Sequence, residues 1–163
     1  NVLRSMQNIS TEKIEKTEQK NIFNFSTQSS TKEGNDANKV YLTGIYISSP
    51  YFIYDNNKSE YTRYQFADKH IDGNSGEAIS VENLFLLKMD TRYLGDASEH
   101  VAITTYGSGS GYYINDGKYI EIQWSRETDS SEFEFTYNNE PLQVAQGNSW
   151  ISCIPTDADI TIR

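Results

Sequence analysis

Short segments rich in aromatic and β-branched residues recur from Lys39 to the end of the chain, and clusters of turn-forming residues separate them. Such side chains suit the pleated surface of a strand. The strands are predicted at residues 40–48, 51–54, 61–66, 84–89, 100–106, 112–122 (a hairpin), 133–135, 150–154 and 159–162. This spacing predicts a mainly β fold, formed as an antiparallel sheet or a partly closed barrel with a short N-terminal helix.

The run at residues 84–89 is almost continuously apolar, whereas most of the other segments alternate apolar and polar positions. A strand with an apolar residue at nearly every position has both faces covered. We therefore expect residues 84–89 to form a central strand. Residues 55–59, with the sequence Asp-Asn-Asn-Lys-Ser, favour a turn that joins the strands before and after them into a hairpin.

The dipeptide Asp116-Gly117 lies between two alternating segments. Asp-Gly favours a type I′ turn, in which both central residues have positive φ. With that two-residue loop Tyr113 faces Ile120, and Trp124 shares their side of the sheet. We predict that this side faces the core, and that Trp124 and Trp150 are both largely buried.

Residues 1–38 differ from the rest because they are rich in Lys, Glu, Gln, Ser, Thr and Asn. Ser10 is a suitable cap for a short helix that runs to about Lys20. Phe23 and Phe25 would pin the next segment onto a sheet, and residues 26–38 have the composition of a mobile connector. We predict that residues 1–38 are the helix and connector from a missing upstream domain, and that residues 39–163 form the β domain.

Charge and composition exclude several classes of function. The net charge of −9 disfavours nucleic acid, because an acidic surface repels a phosphate backbone. No apolar run approaches the roughly 20 residues of a membrane-spanning helix. A single cysteine permits neither an internal disulfide nor a cysteine-based zinc cluster. We predict neither a metal nor a cofactor. Because the chain starts with Asn1 and carries no apolar signal segment, we expect it to be a piece of a longer protein.

One group of polar residues has the composition of a catalytic site. His70 and Asp72 are two residues apart, hence on one face of an extended segment, and Arg63 lies shortly before them. A histidine oriented by a carboxylate beside an arginine would serve as a base next to an anion-binding group. The alternative interpretation is a hydrogen-bonded turn network formed by Arg63, His70 and Asp72. We expect the three residues to lie close together, with Asp72 accepting hydrogen bonds from turn amides or from Arg63.

Three other features have a structural interpretation. The run Gly107–Gly111 leads into a strand, whereas a phosphate-binding loop leads into a helix, so we interpret it as a bulge or a tight crossing. Cys153 lies in an apolar strand and is predicted to be a buried, inert thiol. The twelve tyrosines would suit a sugar-stacking face, but strand and core packing explains them equally well.

An ordered series of motifs from Lys39 to Pro155 resembles the C-terminal domain of the YerB-like lipoproteins, a family of uncharacterised function in Gram-positive bacteria. The motifs are Tyr54-Asp55, Tyr61-Thr62-Arg63, His70-Ile71-Asp72 with Gly76, Asn83 before an apolar strand, Gly107-Ser108-Gly109, Asp116-Gly117-Lys118, Trp124-Ser125-Arg126 and Gly147-Asn148-Ser149-Trp150-Ile151 before Pro155. The resemblance implies a signal peptide, a lipid-modified cysteine and a larger upstream domain, none of which this chain contains. It thus implies an extracellular protein attached to the membrane by its lipid anchor.

The resemblance supplies no established activity. Our leading hypothesis is a non-catalytic envelope module that binds a partner protein, its own missing upstream domain or a cell-wall polymer. The alternative is a hydrolase of envelope glycans, with Arg63, His70 and Asp72 in a site that the missing domain completes. The two hypotheses differ in whether those three side chains converge in an open pocket or are engaged in local hydrogen bonds.

Overall fold

A computed structural model describes residues 22–43, 48–98 and 100–163. The predicted helix at residues 10–20 lies outside these residues, as does part of the predicted strand at residues 40–48. The described part of the chain is mainly β, as predicted, with one 3₁₀ turn at Ser30–Glu33. Its strands, in chain order, are β1 (Asn24–Ser26), β2 (Asn35–Asp36), β3 (Lys39–Tyr41), β4 (Tyr51–Asp55), β5 (Glu60–Gln65), β6 (Asp68–Lys69), β7 (Ser80–Val81), β8 (Asn83–Met89), β9 (Thr91–Tyr93), β10 (Val101–Ile103), β11 (Gly107–Asn115), β12 (Lys118–Arg126), β13 (Glu134–Tyr137), β14 (Glu140–Pro141), β15 (Gln143–Ala145), β16 (Ser149–Pro155) and β17 (Thr161–Ile162).

Two sheets form the body of the domain. The central sheet has the order β14-β13-β12-β11-β8-β16, with β2 beside β12. The second sheet has the order β17-β3-β4-β5-β6, with β7 beside β5. Most neighbours are antiparallel, but β16 is parallel to β8 and β1 is parallel to β15. The predicted antiparallel arrangement is therefore confirmed for most of the strands. Strand β16 joins β8 after a long excursion along the chain and so can enter the sheet in the same direction. The strands of the described residues do not close into a barrel.

Strand β8 separates two hydrophobic clusters, as its continuous apolar sequence predicts. Leu84 and Leu86 point into the cluster between the two sheets. Phe85, Leu87 and Met89 point into a second cluster on the other face of the central sheet. The alternation of side chains along a strand thus places consecutive apolar residues in two different cores.

The β11–β12 hairpin has the predicted register. Tyr113 pairs with Ile120, and both are buried with Trp124 in the second cluster. Asp116 and Gly117 have φ values of 50° and 70°, as the type I′ turn requires. The run Gly107–Gly111 continues β11 in unbroken register with β12, so the bulge interpretation was wrong and the tight crossing is what the structure contains.

Trp150 is only half-buried, which corrects the expectation that both tryptophans lie inside the core. It belongs to β16, which is an edge strand of the central sheet and has β8 as its sheet neighbour on one side. Its indole packs at the margin of the cluster between the sheets. The alternation of Trp150 with isoleucine predicted its burial, but no local pattern in the sequence indicates that β16 is an edge strand.

Residues 22–38 pack onto the β domain. The ring of Phe23 stacks on Phe85 at 5.1 Å between centroids, and β1 and β2 pair with β15 and β12. Two polar side chains of residues 26–38 hydrogen bond to β11: Ser29 donates to the Tyr113 hydroxyl and Thr31 donates to the Asn115 carbonyl. The assignment of these residues to a connector stays a prediction. The boundary between residues 38 and 39 stays a prediction.

Candidate functional site

Arg63 and His70 are brought together by backbone pairing at the edge of the second sheet. Arg63 lies on β5 opposite the buried Phe52, so its side chain extends toward the inner face of that sheet. The His70 amide donates to the Arg63 carbonyl at 2.9 Å, and the Ile79 amide donates to the His70 carbonyl at 2.8 Å. These bonds hold the imidazole beside the guanidinium.

The guanidinium of Arg63 has several side-chain contacts. Its Nη1 donates to Nδ1 of His70 and, at 3.0 Å, to Oε1 of Gln65. Its Cζ lies 4.6 Å from the ring centroid of Trp150, and the His70 ring meets the same indole edge to face at 6.3 Å. The presence of Trp150 in this cluster was not predicted, because the parallel pairing of β16 that brings it there has no local sequence signal.

Asp72 is engaged elsewhere in the same turn. Its Oδ1 accepts hydrogen bonds from the amides of Asn74 at 3.0 Å and Ser75 at 2.8 Å. These amides lower the pKa of Asp72, since they stabilise the ionised carboxylate. The expected acceptance from turn amides is present, and the Asp72 carboxylate organises the loop that follows His70.

The protonation of His70 follows from its surroundings. Burial, and after it the positive charge of Arg63, lowers the pKa of His70, while Asp72 acts weakly in the opposite direction. The neutral imidazole accepts the Arg63 hydrogen bond through Nδ1. In a histidine oriented by a carboxylate, Nδ1 would donate to that carboxylate instead. The Arg63 guanidinium is therefore held by the neutral imidazole of His70, the side-chain amide of Gln65 and the indole of Trp150.

A second candidate surface is the two-stranded arm formed by β9 and β10. Tyr93 pairs with Val101 and Thr91 pairs with Ile103, which places these four side chains on one face of the arm. Tyr93 is 74% exposed, and Val101 and Ile103 are also exposed. The arm extends from β8 after Asp90 and pairs with neither large sheet. Among the residues that the structure describes, none covers this apolar face.

The tyrosines of the second sheet form a stacked row and not a flat platform. Tyr41 stacks on Tyr51 at 5.5 Å, and Tyr51 stacks on Tyr64 at 4.7 Å with nearly parallel rings. The guanidinium of Arg163 lies 5.1 Å from the Tyr41 ring. Because these contacts occupy the ring faces, the row offers mainly ring edges to a ligand.

The described residues give little support to three other kinds of feature: a metal site, a reactive thiol and a membrane-spanning helix. In the residues that the structure describes, no group of three or more His, Cys, Asp or Glu side chains could hold a metal ion. Cys153 is half-buried, and burial raises the pKa of its thiol, which disfavours the nucleophilic thiolate. None of the described helical segments has the length and apolar character needed to cross a membrane.

Residues 40–151 match the family described as Protein of unknown function (DUF3048) C-terminal domain. The chain belongs to this family. The matched range agrees with the extent of the motif series that resembles the YerB-like proteins. No curated protein matches the chain.

The fold is similar to the crystal structure of the YerB protein from Bacillus subtilis, with a TM-score of 0.66 and 21% sequence identity. The match covers 85% of this chain and 46% of that chain. The present chain therefore spans about half the length of the YerB chain. At 21% sequence identity, the similarity to the YerB structure shows the fold of this domain. Together with the family match, it confirms the YerB-like family assignment made from the motifs.

Proposed function

We propose that this domain is a non-catalytic interaction module of an envelope lipoprotein, and that the apolar face of the β9–β10 arm docks against the upstream part of the same protein. The uncovered side chains of Tyr93, Val101 and Ile103 carry this proposal. The lipid anchor and the extracellular location rest on the family resemblance.

The arm has the properties of an incomplete interface. A two-stranded ribbon is marginally stable by itself in water, because half of its surface has nothing to pack against. Contiguous exposed apolar surface on a folded domain marks an interaction site. In this arm the exposed apolar residues share one face, whereas the opposite face carries Arg92 and Ala102.

The upstream part of the natural protein is the occupant that we propose. The family is described as a C-terminal domain, and the similar YerB chain is about twice as long as the matched region. A covalently linked domain has an effective concentration in the millimolar range when its linker is short and flexible. Even a modest apolar face would then be covered most of the time.

The hydrolase alternative receives less support from the Arg63 cluster. His70 accepts from Arg63 through Nδ1, and Asp72 is bonded to turn amides, so none of the carboxylates in the described residues is bonded to Nδ1 to orient the imidazole for proton transfer. We therefore propose that these residues fix the loop between β6 and β7. In the natural protein, the variant His70→Ala should still dock the β9–β10 arm against the upstream part.

Amide hydrogen exchange in the natural protein tests the docking proposal. Residues 91–103 should exchange more slowly in the protein with its upstream region than in the 163-residue chain. Tyr93→Asp in the natural protein should remove this protection, because a carboxylate in an apolar contact is costly. The matched control is Phe66→Asp, which changes an exposed aromatic residue at the β5–β6 turn and should leave the protection intact.

Two outcomes would contradict the proposal. Equal exchange of the arm in both proteins would mean that the upstream region does not cover it. Protection of the arm that increases with protein concentration would assign the face to a second copy of the chain instead.

A further inference from the structure

A cleft opens where two neighbouring strands of the central sheet separate. The pairing of β11 with β8 runs from Asn115 opposite Asn83 to Gly111 opposite Leu87 and stops there. Pairing of β11 with β12 continues to Gly107. Between the separated ends, at the base of the β9–β10 arm, lies an open cleft of about 340 Å³. We call it the β8–β11 cleft.

The floor of the cleft is fixed by Trp124. Its Nε1 donates a hydrogen bond of 3.1 Å to the Lys88 carbonyl, which spans the gap between the separated strands. A Cβ atom on Gly109 would lie 2.8 Å from that Nε1 and 2.9 Å from the Lys88 oxygen. Only glycine at position 109 therefore allows this close packing of Trp124 against Lys88.

The walls carry polar groups from several segments. Four residues with hydroxyl side chains are among those that line the cleft: Thr104, Ser108, Ser110 and Thr156. The charged residues Asp90 and Lys88 also line it, and the Lys88 ammonium lies 5.9 Å from the centroid of the Tyr112 ring. Within residues 22–43, 48–98 and 100–163, none of these hydroxyls hydrogen bonds to another residue. They are available to both donors and acceptors of a ligand.

Tyr106 lies at the rim of the cleft and is 54% exposed. Unlike the stacked row of Tyr41, Tyr51 and Tyr64, its ring is in no aromatic or cation–π contact with another residue in the described segments. An aromatic ring with a free face packs against the apolar C–H face of a sugar while hydroxyl groups bind its edge.

We propose that the β8–β11 cleft binds a neutral glycan, with Tyr106 stacking on a sugar ring and the four hydroxyls and Asp90 bonding to its hydroxyl groups. This site is additional to the docking face of the arm. The volume lies in the range of small-ligand pockets, about 300–1,000 Å³. The net charge of −9 disfavours a phosphate-rich polymer, so the glycan is an uncharged one.

Titration of the 163-residue chain with three soluble probes tests the proposal. The probes are triacetylchitotriose for an amino-sugar glycan, maltotriose for a plain glucan, and a short poly(glycerol phosphate) for an anionic polymer. We expect saturable chemical-shift changes of cleft residues with at least one of the first two, and none with the third. The neutral probe that binds more tightly identifies the class of glycan: an amino-sugar glycan for triacetylchitotriose, or a plain glucan for maltotriose.

Two variants at exposed aromatic residues provide the matched comparison. Tyr106→Ala should weaken glycan binding about tenfold, because it removes the stacking face. Phe66→Ala removes another exposed aromatic ring, at the β5–β6 turn and outside the cleft, and should leave the affinity unchanged. Circular dichroism establishes that both variants are folded.

The proposal fails if neither neutral probe binds up to about 10 mM, or if both variants lose affinity equally. It also fails if poly(glycerol phosphate) is the preferred ligand. The docking proposal is tested separately, because loss of glycan binding with the arm still protected in the natural protein would refute only the cleft.

Discussion

At the scale of single residues, Trp124 connects parts of the chain that are far apart in sequence. Its side chain is 3% exposed, its ring meets Phe133 edge to face at 5.9 Å, and its indole nitrogen is bonded to Lys88. The absence of a side chain at Gly109 makes room for this contact. The alternation of the β11–β12 hairpin predicted its burial, but nothing near it in the sequence indicates the bond to β8.

Replacement of Trp124 by alanine should lower the free energy of unfolding by about 3–5 kcal/mol, the usual cost of removing a buried aromatic side chain. The reason is the cavity left in the second cluster, together with the lost donor to the Lys88 carbonyl. Denaturant unfolding followed by circular dichroism measures the change. Trp150→Ala, at the half-buried edge position, should cost less, and an unchanged midpoint for Trp124→Ala would remove this residue from the core.

His70 gives the domain a stability that depends on pH. Burial and Arg63 lower the pKa of His70 from its ordinary value of 6.5, so the unfolded chain takes up this proton at a higher pH than the folded domain. The free energy of unfolding therefore falls as the pH drops below about 6.5. His70→Gln removes this contribution and should flatten the decrease in Tm between about pH 6.5 and pH 5. The control variant His100→Gln, which changes the other histidine, should retain the full decrease in Tm. Equal pH profiles of Tm for His70→Gln and the unchanged chain would contradict the argument.

At the scale of elements, the sequence predicted best where the signal is local. The Asp116-Gly117 turn sets the register of its hairpin, because the two positive φ values and the two-residue loop leave one alignment. The apolar run of β8 predicted a strand between two cores. The parallel pairing of β16 with β8 was missed, since its register depends on a partner about sixty residues earlier and on no turn between them.

Gly117→Ala should destabilise the hairpin by about 1–2 kcal/mol, because a Cβ atom is strained in the left-handed region. Gly117 has φ of 70°, and the added Cβ would lie 3.0 Å from the Tyr54 ring. Gly73→Ala is the matched control, since no atom lies within 4 Å of its Cβ position and its φ is outside the left-handed region. Urea unfolding of both variants checks the difference; equal stability would mean that the turn relaxes without cost.

At the scale of the whole molecule, the candidate sites differ in how far sequence predicts them. Arg63 and His70 are seven residues apart and meet through a local turn, so their proximity was predictable. The β8–β11 cleft was not, because it arises where two strands diverge and where the run Gly107–Gly111 passes over Trp124. Divergence of strands reflects the packing of the whole sheet and leaves no pattern in either segment.

The packing of residues 22–38 onto the domain was also not predictable from local sequence. A partly buried network of hydrogen bonds connects this segment to the central sheet. Ser29 donates to the Tyr113 hydroxyl at 3.3 Å, and that hydroxyl donates to Oδ1 of Asn83 at 2.8 Å. The amide of Ala145 also donates to Tyr113, at 2.9 Å. A polar composition predicted a connector, whereas these polar groups have partners that only the folded sheet supplies.

Phe23→Ala tests whether this segment is part of the domain. Its ring stacks on Phe85 and, at 5.9 Å, on Phe135, so its removal should lower the free energy of unfolding by up to about 3 kcal/mol and speed amide exchange in β1. Phe25→Ala removes an exposed neighbouring ring and should have little effect on either quantity. If residues up to 38 were a separate connector, Phe23→Ala would leave the stability of residues 39–163 unchanged. A loss of stability confined to Phe23→Ala would instead move the start of the domain to the strand that contains Asn24.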